Sequence, residues 1–366
     1  MLRLRGFLLV AFVGQFVHTP TVLGCTTVAF AKSAECLVAK SYDWHQAHGA
    51  VVINPKGLHK TALRFWPADR PQTWIADHAS ATFVQHGREF PLGGMNDAGL
   101  VVEVMWLDEN RPTPLDKRRT VNELQWIQYQ LDRFSTVEEV LRNADPANPD
   151  SVRISRIYAR VHYLACDATG ACAAFEDIAG PSGKGQTVRT VAAPGVLTNE
   201  TYAAMSARLG QYVGFGGQSA IPGDQSSLSR FVRAAAWAHA LDPAKIADPV
   251  GYAFQALQSV GGTTYSKFHI VYEPKLGRVH FRTLGYRALK TFKLGDFETQ
   301  CSASEERSRM IDVNQTVGGE VGSKFGVYSE AANRGLVAEA LKDRPAIFPS
   351  GAIDVLATHP RTSVCK

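Results

Sequence analysis

The residues ahead of Cys25 set the terms on which this chain can begin to fold. Met1–Arg5 is short and basic, residues 6–17 are almost wholly apolar, and Val22-Leu-Gly24 puts β-branched and small residues at the third and first positions before Cys25. This is the layout of a secretory leader, and its apolar run is too short to span a bilayer. A cut behind Gly24, leaving residues 1–24 as a signal peptide, would make Cys25 the new first residue. It would then carry a thiol and a free α-amine together, a nucleophile with its own base. Three readings of this segment stand side by side. The cysteine is a catalytic terminus, or the acylated residue of a lipobox, or an ordinary strand residue with the cut a few positions away. Leu23 is unusual for the middle of a lipobox, where a small residue is commoner.

The composition is that of a globular chain. Of 366 residues, 45% are hydrophobic and 20% charged, with no low-complexity tract, which suits one large domain or two ordinary ones. The formal charge of +5 comes from 39 basic and 34 acidic residues, and two of the basic ones, Arg3 and Arg5, sit in the leader. That balance is too mild to argue for nucleic acid, and no basic run supports it. No second apolar segment is long enough to cross a membrane, so the exported chain is expected in the periplasm or outside the cell. Six cysteines in an oxidising compartment invite disulfides. Cys166 and Cys172 flank the turn-like Asp167-Ala-Thr-Gly170, and Cys301 and Cys365 can tie down the C-terminal tail. No cysteine–histidine cluster has zinc spacing, and His45 and His48 read as loop histidines.

Pattern along the chain gives hairpins, then helices, then hairpins. Cys25–Ala31 and Cys36–Tyr42 read as two strands around the Lys32–Glu35 turn. Such a turn sets Cys25 opposite about position 42 and Asp43 beside it. Alternation turns Lys40 to the other face, so a bulge or a strand end is needed to bring both to the sulfur. Further strands are expected at 49–54, 82–87 and 99–107, with Gly93–Gly99 as a turn-rich link. Thr120-Val-Asn-Glu123 is a capping-box pattern opening a helix whose stripe is Leu124, Ile127, Leu131 and Phe134. A hairpin follows over 157–176, a helix over Ser227–Leu241, a hairpin around Pro274–Gly277, and a helix near 330–342. Residues 301–366 are otherwise less patterned. With no repeat and no clear linker, residues 25–366 read as a single domain of antiparallel sheets with helices packed outside, an α+β layered fold.

Four segments, in order, resemble the choloylglycine hydrolase family, which includes penicillin V acylases and conjugated bile acid hydrolases. They are Cys25-Thr-Thr; Ala39-Lys-Ser-Tyr-Asp-Trp44; Gly94-Met-Asn-Asp-Ala-Gly-Leu100 running into Met105-Trp106; and Gly195-Val-Leu-Thr-Asn199 with Pro222–Arg233. Each alone is weak, and their co-occurrence is specific. The resemblance implies a four-layer αββα N-terminal nucleophile hydrolase fold with two stacked antiparallel sheets. It also implies hydrolysis of a linear carbon–nitrogen amide through a thioester on the N-terminal cysteine, without a cofactor.

Carried over residue by residue, Cys25 would be the nucleophile and its α-amine the base. Asp43 would hold that amine. Asn199 would donate to the oxyanion, a task in which one donor is worth about 3 kcal/mol. Arg230 would sit near the sulfur, with Arg233 one turn on as the alternative. Two departures stand out. Most members carry arginine where this chain has Lys40, which keeps the charge and loses the planar fork. The bile-acid enzymes carry asparagine where Trp106 aligns, whereas the penicillin-acylase-like branch has an aromatic residue. Trp106 therefore reads as the wall of an apolar acyl pocket, although its indole N–H could also donate to the oxyanion. The expected substrate is a small amide with an apolar acyl group, such as a penicillin V or an N-acyl homoserine lactone. A conjugated bile acid is the alternative, and a lipid-anchored binding protein on the same fold is the competing class. A homo-tetramer is expected from the resemblance alone.

Overall fold

In the computed structural model, the described residues are 24–365 apart from positions 115, 146, 149, 156–158, 263–264 and 343–350. The leader expected over residues 1–24 therefore lies outside the described residues, except for Gly24.

Two large sheets lie face to face. The first has seven strands in the order Val196–Leu197, Thr26–Phe30, Leu37–Asp43, Ser266–Glu273, Arg278–Thr283, Lys290–Lys293 and Gly319–Glu320. The second has nine, running from Gly185–Val191 through Cys172–Ala179, Val161–Cys166, Val101–Trp106, Pro91–Asn96, Ser80–Val84 and Ala50–Asn54 to Arg309–Asp312 and Gly326–Val327. Pairing within them is antiparallel except between Lys290–Lys293 and Gly319–Glu320. Helices Ser227–Ala240 and Pro249–Val260 cover the outer face of the first sheet, and helices Gln125–Arg133 and Val137–Asn143 that of the second. The result is the αββα arrangement of the N-terminal nucleophile hydrolase fold. Both sheets are covered on both sides, so their central strands are buried on each face, and Thr26–Phe30, Leu37–Asp43 and Ala50–Asn54 contain no exposed residue.

The strand pair at the front of the chain forms in the expected register. Thr26 faces Ser41 and Thr27 faces Lys40, which brings Cys25 level with Tyr42. Among the described residues no irregularity brings Lys40 round to the sulfur; the register shift beside Asp43 lies in the neighbouring strand. Ser266 pairs with Asp43 and Phe268 with Tyr42, leaving Lys267 as a bulge.

Two local expectations change. Pro91–Asn96 is a strand, not a turn-rich link. Its glycines serve close packing: a Cβ on Gly93 would stand 2.3 Å from the Glu103 carboxylate, and one on Gly94 2.4 Å from the Ala81 carbonyl. The Thr120–Glu123 box does not cap a helix, because Thr120–Asn122 pairs as a strand with Arg153–Ser155. The Asn122 side chain instead accepts from the N–H groups of Leu124 and Gln125. The true capping box is Thr136 with Glu139, at the start of the next helix.

The hairpin disulfide Cys166–Cys172 and the tail disulfide Cys301–Cys365 are both present. The weakly patterned C-terminal stretch supplies edge strands to both sheets, and its helices Glu330–Leu341 and Ala352–Thr358 pack on Leu63 and Phe90.

Candidate active site

Cys25 ends a buried strand at the mouth between the two sheets. It is only 6% exposed, and its Sγ donates to the Asp43 main-chain oxygen at 3.7 Å. The Asp43 carboxylate accepts from Ser41 Oγ at 2.8 Å and also from Ser266. Burial raises the Asp43 pKa, and those two hydroxyls only partly offset it. Burial likewise raises the Cys25 thiol. Lys40 is the strongest group pulling it back down, Asp43 adds to the rise, and Arg230 opposes it more weakly.

Arg230 is 1% exposed and organises the ground behind the sulfur. Its Nη1 donates to the carbonyls of Gly24 at 2.7 Å and Cys25 at 2.6 Å and to Thr26 Oγ1 at 2.9 Å. Its Nη2 donates to Asn199 Oδ1 at 2.8 Å. The helix that carries Arg230 also seats Asn199, whose main-chain N–H donates to Ser227 Oγ at 2.9 Å. The Asn199 amide then donates to the Trp106 carbonyl at 2.8 Å. Arg233, the alternative, is occupied elsewhere with the carbonyls of Pro222, Asp224 and Ser259.

Lys40 points into the space between the sheets. Its Nζ donates to the Val104 carbonyl and to Met105 Sδ, and pairs with Glu103 at 3.5 Å. Glu103 accepts in turn from the Tyr272 hydroxyl at 2.6 Å. Lys40 is therefore neither a solvated strand lysine nor a hydrogen-bond partner of the sulfur. It is a buried countercharge on the strand beside it.

Cys25, Tyr42, Asp43 and Met105 open onto a narrow cavity of about 50 Å³, walled mainly by Trp44, Leu92, Trp106 and Leu124. Trp44 and Trp106 lie beside each other with ring centroids 6.2 Å apart and planes tilted by 41°. The Trp106 indole N–H is engaged by Asp108 at 2.7 Å, which leaves the ring as wall. The molecule has a wider groove, about 1050 Å³ along Trp74, Arg118, Tyr129 and Arg142, but it holds no thiol.

Of the residues singled out in the sequence, Cys25, Asp43 and Trp106 line the cavity. Asn199 and Arg230 are bonded to its rim, and Lys40 lies behind it on the inter-sheet side. Trp44, Ser266 and Glu103 were missed as contributors. Trp44 sits inside the Ala39–Trp44 motif, so its neighbourhood was visible. Glu103 is a lone acid in an apolar strand, and only its partner Lys40 explains it. Together a thiol, a carboxylate and an amide N–H converge on one apolar slot, a set suited to acyl transfer at a carbonyl carbon. Among the described residues no cluster could hold a metal, and no helix is long and apolar enough to cross a membrane.

Comparison with known proteins agrees with this geometry. A penicillin V acylase from Pectobacterium atrosepticum is 28% identical over 176 residues, 46% of this chain and 46% of that protein. The match thus spans about half the length of that curated relative. The solved penicillin V acylase of Agrobacterium tumefaciens superposes with a TM-score of 0.68 at 22% identity, covering 83% of this chain and 98% of that one. A conjugated bile acid hydrolase from Clostridium perfringens gives 0.64 at 17% identity, covering 81% and 99%. Residues 25–267 match the linear amide C–N hydrolases of the choloylglycine hydrolase family, and the chain belongs to that family.

Proposed function

We propose that the protein is an exported amidohydrolase that uses Cys25 as its N-terminal nucleophile on linear amides with an apolar acyl half. What carries this reading is that Cys25 and Asp43 line one apolar cavity while Arg230 and Asn199 are hydrogen-bonded to Cys25 and Trp106 at its rim. Cleavage behind Gly24 would free the α-amine beside Asp43. The Arg230 guanidinium lies against the Gly24–Cys25 peptide and donates to the carbonyls of both residues. The amine then accepts the thiol proton and Sγ attacks the carbonyl carbon. Asn199 donates to the resulting oxyanion. The C–N bond breaks, the leaving amine takes the proton from the α-ammonium, and a thioester remains. Water, deprotonated by the same amine, releases the acid. Lys40 holds positive potential near the sulfur without touching it.

The narrow, apolar cavity with Trp44 and Trp106 in its wall favours a flat or chain-like acyl group, such as phenoxyacetyl or a fatty acyl, over the broad steroid of a bile acid. The test is a panel of penicillin V, N-acyl homoserine lactones and glycine-conjugated bile acid, run on the parent and on Cys25→Ala, with mass spectrometry of the mature N-terminus. A free Cys25 and an inactive alanine variant are expected. Unchanged hydrolysis by Cys25→Ala refutes the mechanism, and a lipidated Cys25 moves the protein to the anchored binding class. The same preparation in light scattering tests the tetramer.

A further inference from the structure

A second cavity, about 160 Å³, lies under the end of the Pro249–Val260 helix. Its lining includes Gly261, Ser266, Lys267, His269, Arg282 and Arg287, and none of its described lining residues is acidic. It shares no lining residue with the cavity at Cys25. The Arg282 guanidinium stacks 4.8 Å over the Phe254 ring and lies 3.4 Å from His269 Nδ1. A guanidinium can only donate, so Nδ1 is the acceptor and the imidazole proton sits on Nε2. That Nε2 is buried and has no partner. Arg287 adds like-charge repulsion to Arg282, with burial the larger strain on its charge. Burial first, and then Arg282, push the His269 pKa down to about 4, so the ring is a neutral donor. Two guanidinia and the unpartnered His269 Nε2–H thus line one hollow that carries no acidic side chain among its described lining residues. Gly261 keeps the hollow open, because a Cβ there would stand 2.6 Å from Ser266 Oγ and 3.1 Å from His269 Nε2.

We propose that this pocket binds a small oxyanion, a phosphate, sulfate or carboxylate group, held by Arg282, Arg287 and the His269 Nε2–H. An oxyanion supplies the acceptor that the buried His269 Nε2–H lacks and offsets the repulsion between the two guanidinia. The proposal does not rest on the amidase reading: Arg282, Arg287 and His269 take no part in the Cys25 machinery, although Ser266 lines this pocket and also hydrogen-bonds the Asp43 carboxylate.

The purified protein is titrated with phosphate, sulfate and acetate by calorimetry and thermal melting, with ionic strength held constant by chloride. Saturable binding of one anion per chain is expected, with a melting temperature that climbs with anion concentration. Arg282→Gln and Arg287→Gln should each weaken binding about tenfold or more, as loss of a charge-assisted hydrogen bond does. Lys245→Gln, on an exposed loop, should leave it unchanged. If Arg282→Gln does not fold, Arg287→Gln decides alone, since its side chain is exposed. Stronger binding of phosphate and sulfate than of acetate assigns an inorganic or phosphoryl ligand, and the reverse assigns a carboxylate. No saturable binding beyond the chloride background, or binding unaltered in the arginine variants, overturns the proposal.

Discussion

Arg230 donates to the side-chain oxygen of Asn199 at 2.8 Å, and this contact orients the amide. Arginine has no acceptor, so the oxygen must face it and the NH₂ must face the other way, toward the Trp106 carbonyl and the cavity. Asn199→Asp preserves the bond to Arg230 and removes the N–H donor. The variant should fold, with a melting temperature lowered by the lost bond to the Trp106 carbonyl, and lose about 10²–10³-fold in kcat, the usual effect of deleting one oxyanion donor. Full activity in a folded Asn199→Asp protein would remove Asn199 from the proposed mechanism.

Asp43 should separate activity from stability. Its folded pKa is raised, so folding favours the protonated acid. The stability this gives is present below the ordinary carboxylate pKa and is lost as pH rises through the folded value. At neutral pH the buried carboxylate is a burden in the chain that still carries Gly24. In that form Asp43→Asn should melt at the same temperature or higher, and its stability should no longer fall as pH rises above the carboxylate range. In the trimmed protein the same change should lower amide hydrolysis by about 10²-fold or more. A lower melting temperature together with normal turnover would contradict both halves.

Lys40 and Glu103 should behave as a buried pair. Lys40→Met alone leaves a buried carboxylate without its partner and should destabilise the fold by about 3–5 kcal/mol. Adding Glu103→Leu should restore most of that in a denaturant melt. The rescued double variant then reports on chemistry. Lys40 is the strongest group lowering the thiol pKa, so iodoacetamide alkylation of Cys25 should need a higher pH than in the parent. An unshifted alkylation profile would confine Lys40 to structure.

The C-terminal stretch backs the wall of the Cys25 cavity. The Asn333 oxygen accepts from the Arg88 main-chain N–H at 2.7 Å, and its amide donates to the Ala357 carbonyl at 3.0 Å. Close by in sequence, His86 lines the cavity. Asn333→Ala should therefore reduce stability by about 1–3 kcal/mol for the groups left unpaired. It should also change the ratio of kcat/KM between short and long acyl substrates. Loss of stability with an unchanged ratio would mean that the clamp does not reach the wall.

His269 gives an acid-side signature. Its folded pKa of about 4 lies below its ordinary 6.5, so the unfolded chain binds the proton more readily. Stability should fall as pH drops through that interval, and His269→Asn should flatten the slope. An identical slope in the variant would show that the ring is not titrating as described.

Much of this arrangement is readable from the chain, and the exceptions share a cause. A four-residue turn between two apolar runs was enough to bring Cys25 level with Tyr42 and Asp43 beside it. The Ser227–Ala240 helix followed from its period, and Arg230 from its motif. What failed was information held across the sheets. Gly93 and Gly94 look like turn residues until the Glu103 carboxylate and the Ala81 carbonyl press against them. Thr120 through Glu123 fits a helix cap until Arg153–Ser155 claims it as a strand partner. The indole N–H of Trp106 was free to serve an oxyanion on paper, and Asp108 two residues on takes it. The Trp106 partner is local in sequence, whereas those of Gly93, Gly94 and Thr120 are not signalled by local spacing.

The ammonium of Lys40, on a strand of the first sheet, grips the backbone of Val104 and the sulfur of Met105 on one strand of the second. Sliding one layer over the other would strand a cation in apolar surroundings, so the two layers have one permitted alignment. Cys25 belongs to one layer and Trp106 to the other. The distance between the reacting sulfur and the wall that cradles its substrate is thus indexed by a charge that touches neither.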